Sequence, residues 1–188
     1  MSHTNDHKSP AGSEVLLDDH AEVGDLIDEL LVTLDARETS QMFARLDLLW
    51  ARLAVHIRAE HLCLFPSILG AVGKISNHSS TGVPSSLHVR EVFERLRADH
   101  DFFMVELAKA VNAARETVKG ESEFAADQLL EIKQRVLAVG ARLREHNRLE
   151  EEQVYLWPEI LLSAEERAEL SARMRREIEN LPPRLASS

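Results

Sequence analysis

The amino-acid sequence contains one cysteine, Cys63, among 188 residues, which excludes an intrachain disulfide and a cysteine-based zinc site. Glycine (7 residues), proline (6 residues) and aromatic residues (5%) are also sparse. Together with abundant Leu, Ala, Glu and Arg, this composition favours helix over sheet. No apolar run reaches the roughly 18 residues needed to cross a bilayer, so we expect no membrane segment.

The chain also lacks clustered positive charge. It carries 22 Lys and Arg against 32 Asp and Glu, a formal net charge of -10, and the basic residues are interleaved with acidic ones. Because phosphate binding depends on clustered Lys and Arg, we expect no nucleic-acid partner. The polar N-terminal residues 1–13 lack the apolar stretch of a secretory signal, so we expect a cytoplasmic location.

Four long segments carry apolar residues at the spacing of a helix with one buried face. They begin near residues 13, 39, 86 and 122. Pro66 is expected to kink or end the second helix. Residues 70–86 contain several Gly and Ser and are expected to form the longest loop.

A shorter helix is predicted at the C-terminal end of the sequence. Ser163 and Glu166 have the spacing of a capping box, and the helix should run from Ala164 to about Asn180 before two prolines stop it. The predicted fold class is all-α. We expect a flexible tail over 1–13, a helical bundle over 14–162, and a C-terminal helix and tail over 163–188.

Four histidines lie on the apolar stripes, one on each long helix, and two of them are followed four residues later by glutamate. These candidate metal ligands are His20, His56, Glu60, His100, His146 and Glu150. Residues at i and i+4 project from the same face of a helix, about 6 Å apart along its axis. A buried unpaired carboxylate costs several kcal/mol, and binding to a metal ion removes that penalty.

The spacing therefore predicts a two-metal site in which each ion has two histidines and both glutamates bridge, with an oxo or hydroxo group completing the bridge. Nitrogen and carboxylate ligands without thiolate suit iron, manganese, zinc or copper. Carboxylate bridging in a bundle core favours two non-haem iron ions over zinc or manganese.

Chance alone would produce about one His and Glu pair at this spacing in a chain with nine histidines, so the pairs acquire weight only from their position on the core stripes. The other histidines are expected at the solvated surface: His3, His7, His78 and His88. His61 points about 100° away from Glu60 around the helix, which disfavours it as a ligand. Cys63 is either a small buried residue or a redox-sensitive neighbour. Tyr155 is either a neighbour of the ligands or part of a helix flank.

Several segments of the sequence resemble the hemerythrin-like, or HHE cation-binding, domain proteins over roughly residues 16–160. The segments are Asp18-Asp19-His20, His56-Ile57-Arg58-Ala59-Glu60, Leu64-Phe65-Pro66, Ala98-Asp99-His100 and His146-Asn147-Arg148-Leu149-Glu150. The resemblance implies an up-down-up-down four-helix bundle with a non-haem di-iron centre held by the matched side chains. It also implies reversible dioxygen binding, sensing of oxygen or nitric oxide, or iron supply for the repair of iron–sulfur centres.

The sequence departs from the oxygen-carrying hemerythrins at two points. Leu96 and Met104 stand where those proteins have a second histidine one turn from His100. Those proteins also place the acid of the fourth helix one residue later, which makes Glu151 the alternative ligand to Glu150. These departures favour the symmetric site with four histidines and two glutamates over an oxygen carrier.

We therefore expect a di-iron protein whose partner is a small diatomic ligand, dioxygen or nitric oxide. The alternative is an iron donor in the repair of damaged iron–sulfur centres. A conventional enzyme, such as a peroxidase or oxygenase, is less favoured because no substrate motif lies beside the ligands. A structural bundle with a vestigial site also remains open, as does a homodimer or an unidentified protein partner.

Overall fold

The computed structural model describes residues 13–75, 82–119, 125–183 and 185. Within these ranges the chain is helical and contains no strand, which confirms the all-α prediction. The elements are α1 (Glu14–Asp35), α2 (Thr39–Ala59), a π-helical turn (Glu60–Leu64), α3 (Phe65–Ile75), α4 (Ser86–Lys119), α5 (Ala125–Glu152), a 3₁₀ turn (Val154–Leu156), α6 (Trp157–Leu161) and α7 (Ala164–Glu179). The predicted helix start near Ser122 and the histidines at positions 3, 7 and 78 lie outside the described residues.

The turn between α1 and α2 is tight and uses a left-handed residue. Arg37 has φ 57°, a conformation usually adopted by glycine. The backbone N–H groups of Arg37 and Glu38 donate to the carbonyls of Leu34 and Thr33 at 3.2 Å, which satisfies two carbonyls at the end of α1. This turn reverses the chain so that α2 packs against α1.

The helical path continues through Pro66, so of the two expectations for this proline, a kink or an end of the second helix, the end is wrong. A π-helical turn replaces one turn of α-helix, and Phe65 N–H donates to the Glu60 carbonyl across it. Pro66 then occupies the second position of α3, where a missing N–H costs little. The carbonyl of Leu62, to which residue 66 would donate in an α-helix, accepts instead from Arg173 Nη2 of α7 at 3.0 Å.

Because α3 extends to Ile75, the predicted loop over 70–86 is wrong for residues 70–75. The apolar face formed by Ile68, Ala71 and Val72 is buried, and α3 packs against α4 and α6. This burial offsets the low helix propensity of the glycines in the segment.

The predicted C-terminal helix is confirmed with its capping box. The Ser163 hydroxyl accepts from the Glu166 backbone N–H at 3.2 Å, and the Glu166 carboxylate accepts from the Ser163 N–H at 2.8 Å. α7 packs against α1, α2 and the π-helical turn, and buries Leu170, Met174 and Ile178. The final helix thus covers one flank of the bundle.

The four long helices form a ring, in which α1 and α4 each pack against both α2 and α5. The buried apolar residues of these helices and of the shorter elements form two clusters. The first contains Leu16, Leu64, Phe93 and Tyr155, and the second contains Leu30, Leu46, Leu107 and Val136. Within the described ranges no helix combines the length and apolar character that crossing a membrane requires.

Candidate metal centre

On each long helix the candidate ligands lie between the two apolar clusters. Going along α1 and α4, residues of the first cluster precede the histidine and residues of the second follow it. Along α2 and α5 the order is reversed. All six candidate ligands are buried, and Glu60 and Glu150 have no exposed surface. The structure therefore places them in one polar layer inside the bundle.

The six side chains form two overlapping groups whose potential ligand atoms lie within 4.8 Å of one another. One group contains Glu60, His100, His146 and Glu150, and the other contains His20, His56 and Glu150. Each group has two histidine nitrogens and at least one carboxylate oxygen. This buried cluster can bind metal.

The two carboxylates extend between the two histidine pairs. Glu60 has Oε2 3.1 Å from His100 Nε2 and Oε1 3.8 Å from His56 Nε2. Glu150 has Oε1 3.2 Å from His146 Nε2 and Oε2 3.3 Å from His20 Nε2. Each glutamate therefore directs one oxygen to each pair. We refer below to the His20–His56 position and the His100–His146 position.

The Nδ1 atoms of His56 and His146 are held by aspartates from the preceding long helix. His56 Nδ1–H donates to Asp19 Oδ2 at 2.9 Å, and His146 Nδ1–H donates to Asp99 Oδ2 at 3.3 Å. Asp99 also accepts from Arg142 Nε at 2.6 Å. These carboxylates fix the imidazole rings so that Nε2 points towards the centre of the cluster.

The other two histidines have Nδ1 partners that immediately follow the two glutamates. His20 Nδ1–H donates to Glu151 Oε1 at 2.8 Å, and His100 Nδ1 shares a hydrogen bond with His61 Nε2 at 2.9 Å. Glu151, the alternative ligand, thus contacts the outer nitrogen of His20, and His61 does the same for His100. In all four histidines, Nε2 therefore points into the cluster and Nδ1 has a hydrogen-bond partner.

Tyr155 is a further polar group in the cluster. Its hydroxyl lies 3.0 Å from His20 Nε2 and 3.2 Å from both Glu60 Oε1 and Glu150 Oε2. The residue is fully buried. Of the two interpretations of Tyr155, the structure favours a neighbour of the candidate ligands.

The glutamates perturb the titration of the histidines. Burial acts to lower the pKa of His20, but hydrogen bonds with Glu150 and Glu151 outweigh it and raise this pKa to about 9. Burial also acts to lower the pKa of His146, but the charge of Glu150 outweighs it, so this pKa is raised as well. For Glu150, burial is outweighed by His146 and His20, and its pKa falls well below the ordinary value.

The pKa values of two neighbouring side chains, Tyr155 and His61, shift in the direction that favours the uncharged form of each. Burial, together with the charges of Glu150 and Glu60, raises the pKa of Tyr155 well above its ordinary value. Burial and the nearby His100 lower the pKa of His61.

Three buried atoms of the cluster make no hydrogen bond, and this tests whether the residues fit a cation. They are His56 Nε2, Glu60 Oε2 and Glu150 Oε1. Glu60 Oε2 and Glu150 Oε1 lie close to imidazole nitrogens, but these contacts lack hydrogen-bond geometry. An unsatisfied buried polar group costs about 1–3 kcal/mol. A metal ion would satisfy all three atoms, so the donor set fits a cation.

Cys63 and His88, the remaining residues singled out from the sequence, do not belong to the groups of candidate ligands. Cys63 is buried in the π-helical turn, and burial raises the pKa of its thiol. This agrees with a small buried residue. His88 is exposed, as expected, and its ring approaches Gln153.

Sequence reasoning missed the partners of Nδ1 and the reach of the tyrosine. Asp19 and Asp99 immediately precede the two lone histidines but contact histidines of other helices. The sequence does contain a signal for these contacts, because the dipeptide Asp-His occurs at both 19–20 and 99–100. No local spacing rule identified the pairing across helices.

An all-helical bundle with a buried His and Glu cluster defines a class of helical proteins able to bind metal within the bundle. The family model described as the hemerythrin HHE cation-binding domain matches residues 11–157, and the chain belongs to this family. No curated protein and no solved structure matches the chain.

Proposed function

We propose that this protein holds two non-haem iron ions and binds or senses dioxygen or nitric oxide through a carboxylate-bridged centre. The observation that supports it is the division of each carboxylate between the two histidine pairs. Glu60 and Glu150 both direct one oxygen to each pair. A site for one ion would not require each glutamate to direct its two oxygens towards two different histidine pairs.

The arrangement of the helices supports the same proposal. The order of the apolar clusters along α1 and α4 is opposite to that along α2 and α5. We infer an up-down-up-down four-helix bundle, since alternate helices then run in opposite directions. This topology brings a lone histidine and a His and Glu pair from each half of the chain into one layer.

The proposed ligands are His20 and His56 for one ion, His100 and His146 for the other, and the two glutamates for both. Iron in these positions would supply a reversible ferrous–ferric couple and coordination positions open to a small ligand. The four Nδ1 contacts hold the rings in place before any ion binds. The protein groups thus supply orientation and charge balance.

The burial of the cluster favours a diatomic ligand over an organic substrate. Surface cavities of about 390, 220, 400 and 380 Å³ lie on the described part of the chain. None of these four is lined by a candidate ligand. A molecule of two atoms needs far less room than a substrate pocket provides.

The proposal is tested by loading the metal-free protein anaerobically with ferrous iron, removing excess iron, and measuring iron per chain and the optical spectrum. We expect about two irons per chain, a charge-transfer absorption on oxidation, and a changed spectrum with dioxygen or nitric oxide. Glu60→Gln together with Glu150→Gln should abolish stable loading. Glu152→Gln, an exposed substitution beside the site, should leave it unchanged. Loss of all iron on desalting of the unmodified protein would refute the proposal.

Iron donation is the second candidate, and one contact favours it. The Nδ1 atom of His20 donates to Glu151, and the Glu151 side chain is 43% exposed. A single hydrogen bond therefore links this candidate ligand to a side chain at the surface. Movement of that carboxylate would loosen His20. The test compares the rate of iron transfer to an apo-iron–sulfur protein with the rate of transfer to a free chelator. A rate to the protein that is less than about tenfold slower would favour donation over sensing.

A further inference from the structure

The hydroxyl of Tyr155 lies on one side of the cluster only. Its contacts within 3.2 Å are His20 Nε2, Glu60 Oε1 and Glu150 Oε2. These are the atoms that face the His20–His56 position. The oxygens facing the His100–His146 position are Glu60 Oε2 and Glu150 Oε1. The tyrosine therefore lies beside one of the two positions only.

The break after α5 brings the hydroxyl to this place. α5 ends at Glu152, and a 3₁₀ turn over Val154–Leu156 follows. In a continuous α-helix, residue 155 would project about 140° away from residue 150 around the axis. The turn instead returns the ring to the side on which Glu150 lies, and its hydroxyl reaches the Glu150 carboxylate.

The spacing of the surrounding atoms resembles that of donors sharing one ion. Two donors at right angles, each about 2.1 Å from a metal, are roughly 3 Å apart. The hydroxyl oxygen is 3.0–3.2 Å from one nitrogen and two oxygens, and that nitrogen is 3.3 Å from Glu150 Oε2. A phenol has one proton and can donate it to one acceptor only. The proton can be directed fully at only one of the two carboxylate oxygens, so a single donated hydrogen bond does not explain why the hydroxyl approaches both at 3.2 Å.

We propose that Tyr155 is a seventh protein ligand, which binds the cation at the His20–His56 position as a phenolate. This inference rests on the proposed function. That position then has five protein donors, and the His100–His146 position has four. The phenol O–H bond breaks as the oxygen–metal bond forms, and the proton leaves to water with the other protons that metal binding releases.

The consequence is a division of roles between the two positions. A third anionic oxygen beside the two carboxylates favours a trivalent ion at the His20–His56 position, as tyrosinate does for iron in catalase. The His100–His146 position retains more open coordination, so a diatomic ligand binds there. Tyr155 thereby determines which of the two ions meets the ligand.

The experiment uses the fact that Tyr155 is the only tyrosine in the sequence. Resonance Raman spectra, excited in the visible band of the ferric-loaded full-length protein, report tyrosinate ring modes from this residue alone. A zinc-loaded sample gives an independent reading, since ultraviolet difference absorption detects tyrosinate at pH 7, where a free phenol with a pKa of about 10 is protonated.

We expect tyrosinate signals in both loaded samples and in neither metal-free control. Tyr155→Phe should remove them and weaken binding of one of the two cations by at least about tenfold in chelator competition, leaving the other unchanged. Trp157→Phe alters a buried ring two residues away that contacts His88 and Phe93 instead, and should retain the signals.

The outcomes separate this inference from the proposed function. Two irons per chain without a tyrosinate signal would overturn the ligand role of Tyr155 and leave the di-iron proposal standing. Failure to bind any metal would overturn both. If Tyr155→Phe does not fold, the spectra of the unmodified protein still decide, because no other tyrosine can contribute.

Discussion

The stability of the metal-free protein should fall as the pH rises from 6.5 to 9, because of His20. The pKa of this buried histidine is raised from 6.5 to about 9 by Glu150 and Glu151, against the effect of burial. A raised pKa contributes stability that is fully present below 6.5 and is lost as the pH passes through 9. The shift corresponds to about 3 kcal/mol at 1.36 kcal/mol per pH unit.

Urea unfolding in the presence of a chelator, at half-unit pH intervals, measures this loss directly. Glu151→Gln removes one of the three carboxylates that raise the pKa of His20, so the decline should become smaller. Glu152→Gln changes the same charge at an exposed neighbouring position and should keep the full decline. A free energy of unfolding that stays level or increases between pH 6.5 and 9 would refute the reasoning.

Three further predictions concern single substitutions. Asp99→Asn should weaken metal binding by about 10- to 100-fold in chelator competition, because it disturbs the outer contact of His146, whereas the exposed Asp101→Asn should not. Leu46→Ala, at a fully buried position, should lower the free energy of unfolding by about 2–5 kcal/mol, and a loss below about 1 kcal/mol would contradict the core assignment. Arg37→Gly should raise the free energy of unfolding by about 1 kcal/mol in the same assay, since its φ of 57° suits glycine; a decrease would show that the arginine side chain stabilises the turn.

The helices and the burial of the six candidate ligands on their inner faces could be predicted because the relevant information is local. Apolar residues repeat at helical spacing, and each histidine occupies a position that would otherwise be apolar. His56 and Glu60, or His146 and Glu150, share a helix face by their spacing alone. Convergence of the four helices follows from the need to bury these faces together.

The contacts around the ligands depend on the packing of different helices, so the sequence pattern did not reveal them. Asp19 reaches His56 across the interface of α1 and α2, over 37 residues of sequence. Tyr155 reaches the cluster because α5 stops at Glu152, a break that periodicity does not locate. Where the helix continues past Pro66, the Leu62 carbonyl accepts from Arg173 of α7, a tertiary contact that the sequence pattern does not show.

The outer contacts of the four histidines form a closed ring, with one hydrogen bond across each interface between the long helices. Its four links are Asp19 to His56 (α1 to α2), His61 to His100 (the π-helical turn after α2 to α4), Asp99 to His146 (α4 to α5) and Glu151 to His20 (α5 to α1). Each long helix, taking α2 together with its π-helical turn, thus contributes one side chain to each of its two neighbours in the ring.

The ring has one link without a carboxylate, between His61 and His100. A carboxylate partner makes an imidazole a stronger metal donor, and a neutral imidazole does so less. In the proposed di-iron site His100 would therefore be the weakest nitrogen donor of the four. It belongs to the position that Tyr155 does not reach. In the proposed di-iron site the outer ring and Tyr155 would act in the same direction, because both place more anionic groups around the His20–His56 position and would leave the His100–His146 position more open to a small ligand.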